Sequence, residues 1–286
     1  MMADPEEIGE DQPASRFRLP NLVNSSSDVT ARIAVAIPLA ILAITLVAIG
    51  GWVFTIGVFV LGVIALRELF SMFERLSPPI LAGFVGLFLL LVAAETGGPP
   101  RVLLGVAAAL VIVFLISVTD HKPTSLPGLA IAILGLVWIG LAFAHAIMLR
   151  DLSHGSAIVF LVLIATFIGD TGAYFGGRSF GRRQLAPSIS PAKTVEGLLI
   201  GIVAGTMAAW FTGLYFNWLT GVDALILGIS VALLAPVGDL FESYVKREAG
   251  VKDSGTIFGA HGGVLDRLDA VCFSIVAGYY VWSALL

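Results

Sequence analysis

The chain has a single cysteine, Cys272, which excludes an intrachain disulfide framework and a thiolate zinc site. Charge is scarce as well: Asp, Glu, Lys and Arg together make up 13% of the residues. Also missing are a Walker A phosphate loop, an HExxH zinc helix and a CxxC pair, so P-loop, zincin and thiol-redox chemistry have no footing. No internal repeat is visible. The first 30 residues lack the basic start and short apolar core of a cleavable leader and carry Asp4, Glu6, Glu7, Glu10 and Asp11 instead. They are read as a polar, acidic tail without stable structure, and not as a signal peptide.

What fills the space is apolar. Hydrophobic residues make up 58% of the chain, and the mean hydropathy is +0.98. Apolar segments run over 33–49, 52–66, 80–96, 102–118, 127–149, 156–177, 197–216, 222–242 and 268–285. A spanning helix needs about 20 residues, so the expected class is an all-α polytopic membrane protein with about nine transmembrane helices. The second segment is short and is joined to the first through Gly50-Gly51, so these two either both span or form a re-entrant hairpin. Region 31–155 reads as scaffold and lipid-facing wall, and region 156–286 carries the polar islands. His145 and Cys272 read as packing residues. Arg67, Glu68, Glu74 and Arg75 read as membrane-edge charges.

Basic residues are placed asymmetrically. With nine spans, the N-terminal tail and the loops after spans 2, 4, 6 and 8 share one side and hold 14 of the 16 Lys and Arg. Only Arg101 and Arg150 fall on the other side. Discounting the last two loops, whose charges have chemical uses, leaves a split of 6 to 2 in the same direction. Positive charge stays inside, so the N-terminus and the polar islands are expected in the cytoplasm, with a cell inner membrane as the location.

The densest island runs from Ser243 to Asp269 and holds Lys246, Arg247, Glu248, Lys252, Asp253, Asp266, Arg267 and Asp269 between two apolar segments. Charge next to hydrocarbon is costly and points to function. Lys and Arg are donors for phosphoryl oxygens. Asp266 and Asp269, at i and i+3, share a helical face and suit one hard cation or a close pair. His261 precedes Gly262 and Gly263, whose lack of a side chain lets backbone N–H groups approach an anion. The alternative is a solvated loop with helix-end charges.

A second island lies between spans 6 and 7. Gly172, Gly176, Gly177 and Gly181 thin a helix surface, and close helix packing explains them better than ligand contact. In Ser190-Pro191-Ala192-Lys193-Thr194-Val195-Glu196, Ser190 is placed as an N-cap and Pro191 as the first helical residue. That helix start, beside Lys193, makes an anion site. In span 8, Pro236 and Gly238 precede Asp239, which predicts a broken helix lining a polar cavity at the cytoplasmic face. Asp239, Ser243, Lys246 and Arg247 then form one stripe.

Ser243, Lys246-Arg247, Lys252-Asp253, His261-Gly262-Gly263, Asp266-Arg267 and Asp269 resemble, in type and spacing, the signature of the phosphatidate cytidylyltransferases. The Ser190–Glu196 segment, followed by Gly197, is similar to a Ser-Pro-x-Lys-Thr-x-Glu-Gly segment of the same family. Gly259-Ala260 departs from the Pro-Gly that many members carry before the histidine. The resemblance is densest over 169–269 and weak over the first 150 residues.

The resemblance implies CTP and phosphatidic acid as substrates, giving CDP-diacylglycerol and pyrophosphate. It implies Mg²⁺, one ion or two, held by Asp239, Asp266 and Asp269. It assigns phosphate binding to Lys246, Arg247, Lys252 and Arg267, with Ser190, Lys193, Thr194, Glu196, Ser243, Gly262 and Gly263 around the substrates. His261 is left between donating to a phosphoryl oxygen and shaping the loop, and Asp253 between catalysis and pairing with Lys252 or Arg247. The bilayer is the expected partner and nucleic acid is not; monomer and homodimer both stay open. A related enzyme acting on another lipid (an archaeal-lipid cytidylyltransferase or a polyprenol kinase) and a transporter are the competing readings. A transporter would spread polar groups through both halves as repeats. A CDP-alcohol phosphotransferase lacks support because its aspartate-rich motif is missing.

Overall fold

The computed structural model describes residues 41–119, 124–257 and 262–286. The acidic tail, Lys122 and His261 lie outside the described residues. Residues 41–49 are helical and turn back at Gly50 and Gly51, whose φ values of 71° and 52° lie in the left-handed region that favours glycine. Helix α1 (Gly51–Met72) then packs Gly57 against Leu46 of that first segment.

The next helical stretch, α2 (Ile80–Thr119), is two arms joined at Gly97 and Gly98. Gly98 has φ 64°, and Pro99 and Pro100 restart the helix where missing N–H groups cost nothing. The arms lie antiparallel, with Gly105 against Ala93 and Gly86 against Val113.

A 26-residue span follows, α3 (Leu126–Gly135) continuing through a widened turn at Leu136–Gly140 into α4 (Leu141–Asp151). Ser125 caps it by accepting from the Gly128 N–H at 3.0 Å. The remaining helices are α5 (Gly155–Phe180), α6 (Val195–Gly213), α7 (Gly221–Glu248) and α8 (Leu265–Leu285).

Seven of these helical stretches are long and apolar enough to cross a membrane. Large apolar side chains such as Leu103, Leu104, Phe167, Leu199 and Phe211 point outward, as lipid contact requires. The core is built from fully buried Leu66, Leu69, Phe70, Leu87, Leu90, Ile139, Ile158 and Leu161.

Two features differ from the sequence reading. The chain is not wholly helical: β1 (Gln184–Ala186) and β2 (Ser190–Thr194) pair antiparallel as a small hairpin between α5 and α6. Ser190 is therefore a strand residue. The cap of α6 is Thr194, whose Oγ1 accepts from the Gly197 N–H at 3.1 Å.

In addition, α7 runs unbroken through Pro236. Proline removes one ladder donor, leaving the Ala232 carbonyl without its usual partner, but the helical path is kept. A cavity of about 790 Å³ does open at the end of the bundle that holds the α1–α2 loop. It is lined by Arg67, Phe70, Ser71, Glu74, Ile80 and Phe84, not by Pro236 or Asp239.

The glycines of α5 serve packing. Gly169 and Gly201 meet backbone to backbone, Gly172 faces Ala204, and Gly177 lies against Thr194 and Gly197. This close α5–α6 contact carries the hairpin to the end of α7. His145 behaves as read: its Nδ1 lies 2.7 Å from the Leu141 carbonyl, and its ring packs on Tyr279 and Tyr280.

Two ends of the bundle can be told apart. One collects the α1–α2 loop, the hairpin and the loop before α8, tied together by Glu68 to Val264 and by Arg247 to Ile189. At the other, Arg150 donates to the Val47 and Ala48 carbonyls, and Thr55 donates to Glu95 at 2.5 Å.

Candidate active site

The site is assembled where α7, α8 and the hairpin converge. Gly238 makes this possible. A Cβ there would overlap the Asp269 carbonyl, so only glycine lets α8 come this close. The contact sets Asp239 and Glu242, one turn apart on α7, against Asp269 on α8. One carboxylate oxygen from each of the three lies within 4.8 Å of the others.

Charges of one sign crowd here, and lysines from two directions offset them. Lys193 Nζ, on β2, lies 2.6 Å from Asp239 Oδ2. Lys246 Nζ sits between Glu242 Oε2 at 2.7 Å and Asp266 Oδ1 at 2.6 Å. The carboxylates still outnumber these two ammonium groups. Glu242 is completely buried, and its Oε1 has no hydrogen-bond partner among the described residues. An orphaned buried carboxylate oxygen is costly unless something neutralises it. Three hard oxygen donors converging on one point, with such an orphan among them, fit a small divalent cation of the Mg²⁺ type.

Asp266 is directed differently from Asp269. Its Oδ2 accepts from the Gly263 N–H at 2.7 Å, the Ser254 N–H at 2.9 Å and the Ser254 hydroxyl at 2.8 Å. It closes the loop over the start of α8, while Asp269 alone of the pair joins the carboxylate group. Gly262, at φ 79°, turns against Asp266, and Gly263 passes directly over Glu68 with no room for a Cβ.

The remaining candidates line this end of the bundle. Ser243 is half-buried one turn beyond Asp239. Arg247, exposed, donates from Nε to the Ile189 carbonyl at 3.2 Å and so ties α7 to the hairpin. Lys252, Asp253 and Arg267 are exposed. Glu196 accepts from the Arg182 and Arg183 N–H groups at 3.0 and 3.2 Å, which anchors the hairpin base. Ser190 and Thr194 flank Lys193 on β2.

The carboxylate cluster is thus bounded by two lysines at one end of a bundle of apolar helices. Residues 30–285 match the cytidylyltransferase family. The chain belongs to that family. It is 32% identical over 264 residues to a phosphatidate cytidylyltransferase of Bacillus subtilis, covering 89% of this chain and 97% of the relative. A phosphatidate cytidylyltransferase of Staphylococcus epidermidis is 34% identical over 233 residues, 78% of this chain and 87% of that one. One from Haemophilus influenzae is 40% identical over 132 residues, 44% and 46% of the two chains.

Two residues of this cytidylyltransferase escaped the sequence reading. Glu242 stands three residues after Asp239 and four before Lys246, a spacing that places it beside both on a helix; that signal was available. Glu68 had none. It was read as a membrane-edge charge, yet it is 6% exposed and binds the loop before α8.

Proposed function

We propose that this protein transfers the cytidylyl group of CTP to phosphatidic acid, releasing pyrophosphate and leaving CDP-diacylglycerol in the bilayer. The observation that carries the reading is the Asp239–Glu242–Asp269 cluster, set between Lys193 and Lys246 at the end of the bundle that holds the signature loop. The names of the relatives supply the substrates.

A lipid phosphate oxygen attacks the α-phosphorus of CTP; the new P–O bond forms as the α–β bond breaks, and pyrophosphate departs with the electron pair. A phosphomonoester has a second pKa of about 6, so the lipid phosphate is already largely dianionic and no general base is needed. The residues therefore position and neutralise. Asp239, Glu242 and Asp269 would hold Mg²⁺, which when bound withdraws charge from the nucleotide phosphates. Lys193 and Lys246 border that position. Arg247, Lys252 and Arg267 face the aqueous side, where triphosphate arrives and pyrophosphate leaves. Asp266, Gly262 and Gly263 shape the loop, and Ser190, Thr194 and Glu196 hold the strand that presents Lys193. The site end lies in the cytoplasm, nine passes cross an inner membrane, and the apolar helix faces receive the acyl chains.

The test is product formation by the purified protein in detergent with CTP, phosphatidic acid and Mg²⁺, and with each omitted in turn. A cytidine-bearing lipid and pyrophosphate in equal amounts, only when all three are present, is the expected result. Folded protein that yields neither product overturns the proposal.

A further inference from the structure

Glu68 sits on α1, more than a hundred residues before the signature and outside the polar islands. Its carboxylate nonetheless accepts from the Val264 N–H at 2.9 Å and the Leu265 N–H at 2.8 Å, and lies 3.2 Å from the Ser254 hydroxyl, whose proton points to Asp266 at 2.8 Å. Val264 is the N-cap position of α8, so Glu68 satisfies two donors that the helix itself leaves unpaired. A carboxylate there also faces the positive end of the helix dipole. Gly255 and Gly263 close over it from both sides of the loop, a Cβ at 255 falling 2.7 Å from its Oε1. Val264 itself offers no capping side chain. Thus the cap of the helix that bears Asp266 and Asp269 comes from a different helix.

We infer that Glu68 is a positioning residue for the reaction: it fixes the first turn of α8 and so holds Asp269 against Asp239 and Glu242. The inference rests on the cation-assisted cytidylyl transfer proposed above. Glu68 touches neither substrate nor cation. It acts through the backbone of Val264 and Leu265, and Asp269 lies one turn further along the same rigid helix. On this view the N-terminal helices supply part of the site's geometry as well as its wall.

The experiment compares full-length wild-type protein with Glu68→Gln and Glu68→Ala in detergent micelles. Gln keeps the length and one acceptor but turns an NH₂ toward one of the two backbone donors. Thr55→Val, on the same helix, removes the hydrogen bond to Glu95 at the far end and serves as the stability control. Three quantities are read: hydrogen exchange over 262–270, Mn²⁺ affinity without turnover, and kcat with its Mg²⁺ dependence.

Glu68→Gln is expected to exchange faster over 262–265 and to weaken Mn²⁺ binding and lower kcat by about 10- to 100-fold. KM for CTP should change little, and Thr55→Val should leave all three near wild type. Wild-type Mn²⁺ affinity and kcat in Glu68→Gln would overturn the inference, as would equal losses in Thr55→Val at matched thermal stability. Should wild type bind Mn²⁺ but make no cytidylyl lipid, the proposed reaction fails, and the Mn²⁺ affinities alone decide the role of Glu68. Wild type that binds no Mn²⁺ overturns it.

Discussion

Lys193 Nζ, on the hairpin strand β2, stands 2.6 Å from Asp239 Oδ2 in the middle of α7. The pair joins two segments that the sequence keeps 46 positions apart and fixes an ammonium group at the edge of the carboxylate cluster. The Asp239 side chain stays partly open to solvent, whereas the Lys193 Nζ is buried and makes no hydrogen bond among the described residues, so the ammonium keeps its donors for a phosphate that enters beside Asp239.

Replacing Lys193 by Gln should lower kcat/KM by about ten- to a hundredfold, the scale of one hydrogen bond to a charged group. Lys193→Arg should recover little, since a planar fork does not replace a compact point charge at this site. Steady-state kinetics with CTP varied will show it; a Lys193→Gln enzyme with wild-type kcat/KM contradicts the assignment.

Gly238→Ala tests the α7–α8 approach. In an unconstrained helix this change stabilises by about 0.8–1.0 kcal/mol. Here the new Cβ would meet the Asp269 carbonyl and the Phe273 ring. The helices must separate, so both the thermal midpoint and kcat should fall, kcat by up to about a hundredfold for a shift near 1 Å. A more stable, fully active Gly238→Ala protein would show that the close approach is dispensable.

The corrected start of α6 gives a paired prediction. Thr194→Ala should cost about 1 kcal/mol through loss of the cap. Ser190→Ala, at a strand position, should stay within about 0.5 kcal/mol of wild type. Reversible unfolding in mixed micelles measures both. The reverse order would restore Ser190 as the cap.

How much of this was legible in the sequence depends on distance along the chain. Asp266 and Asp269 fall within one island at helical spacing, and local chemistry grouped them as candidate ligands of one cation. What spacing could not separate is that Asp266 turns to the Ser254 and Gly263 donors while Asp269 turns to the cluster. That division depends on how the loop closes, a tertiary property.

Ser190-Pro191 had the local form of a helix start. The hairpin prevailed because Glu196 binds the Arg182 and Arg183 N–H groups and Thr194 pairs with Gln184, contacts made across the turn. Pro236 suggested a break, yet one missing hydrogen bond did not outweigh the packing on both sides of α7. Glu68 was invisible because its partners lie 186 to 197 positions away. The apolar segments and the glycine-lined α5–α6 contact were readable because hydropathy and side-chain size act locally.

The most direct test of the account is a Mg²⁺ titration of cytidylyl-lipid formation by wild type and Asp269→Asn, followed by mass spectrometry of the lipid product. Asp269→Asn keeps the shape of the site but removes one charged oxygen from the three-residue cluster. The account predicts a strict Mg²⁺ requirement in wild type and, in Asp269→Asn, loss of product or a rightward shift of the Mg²⁺ curve by at least about tenfold. Equal product formation by the two proteins across the whole titration would contradict the claim that Asp239, Glu242 and Asp269 hold the cation that the transfer needs.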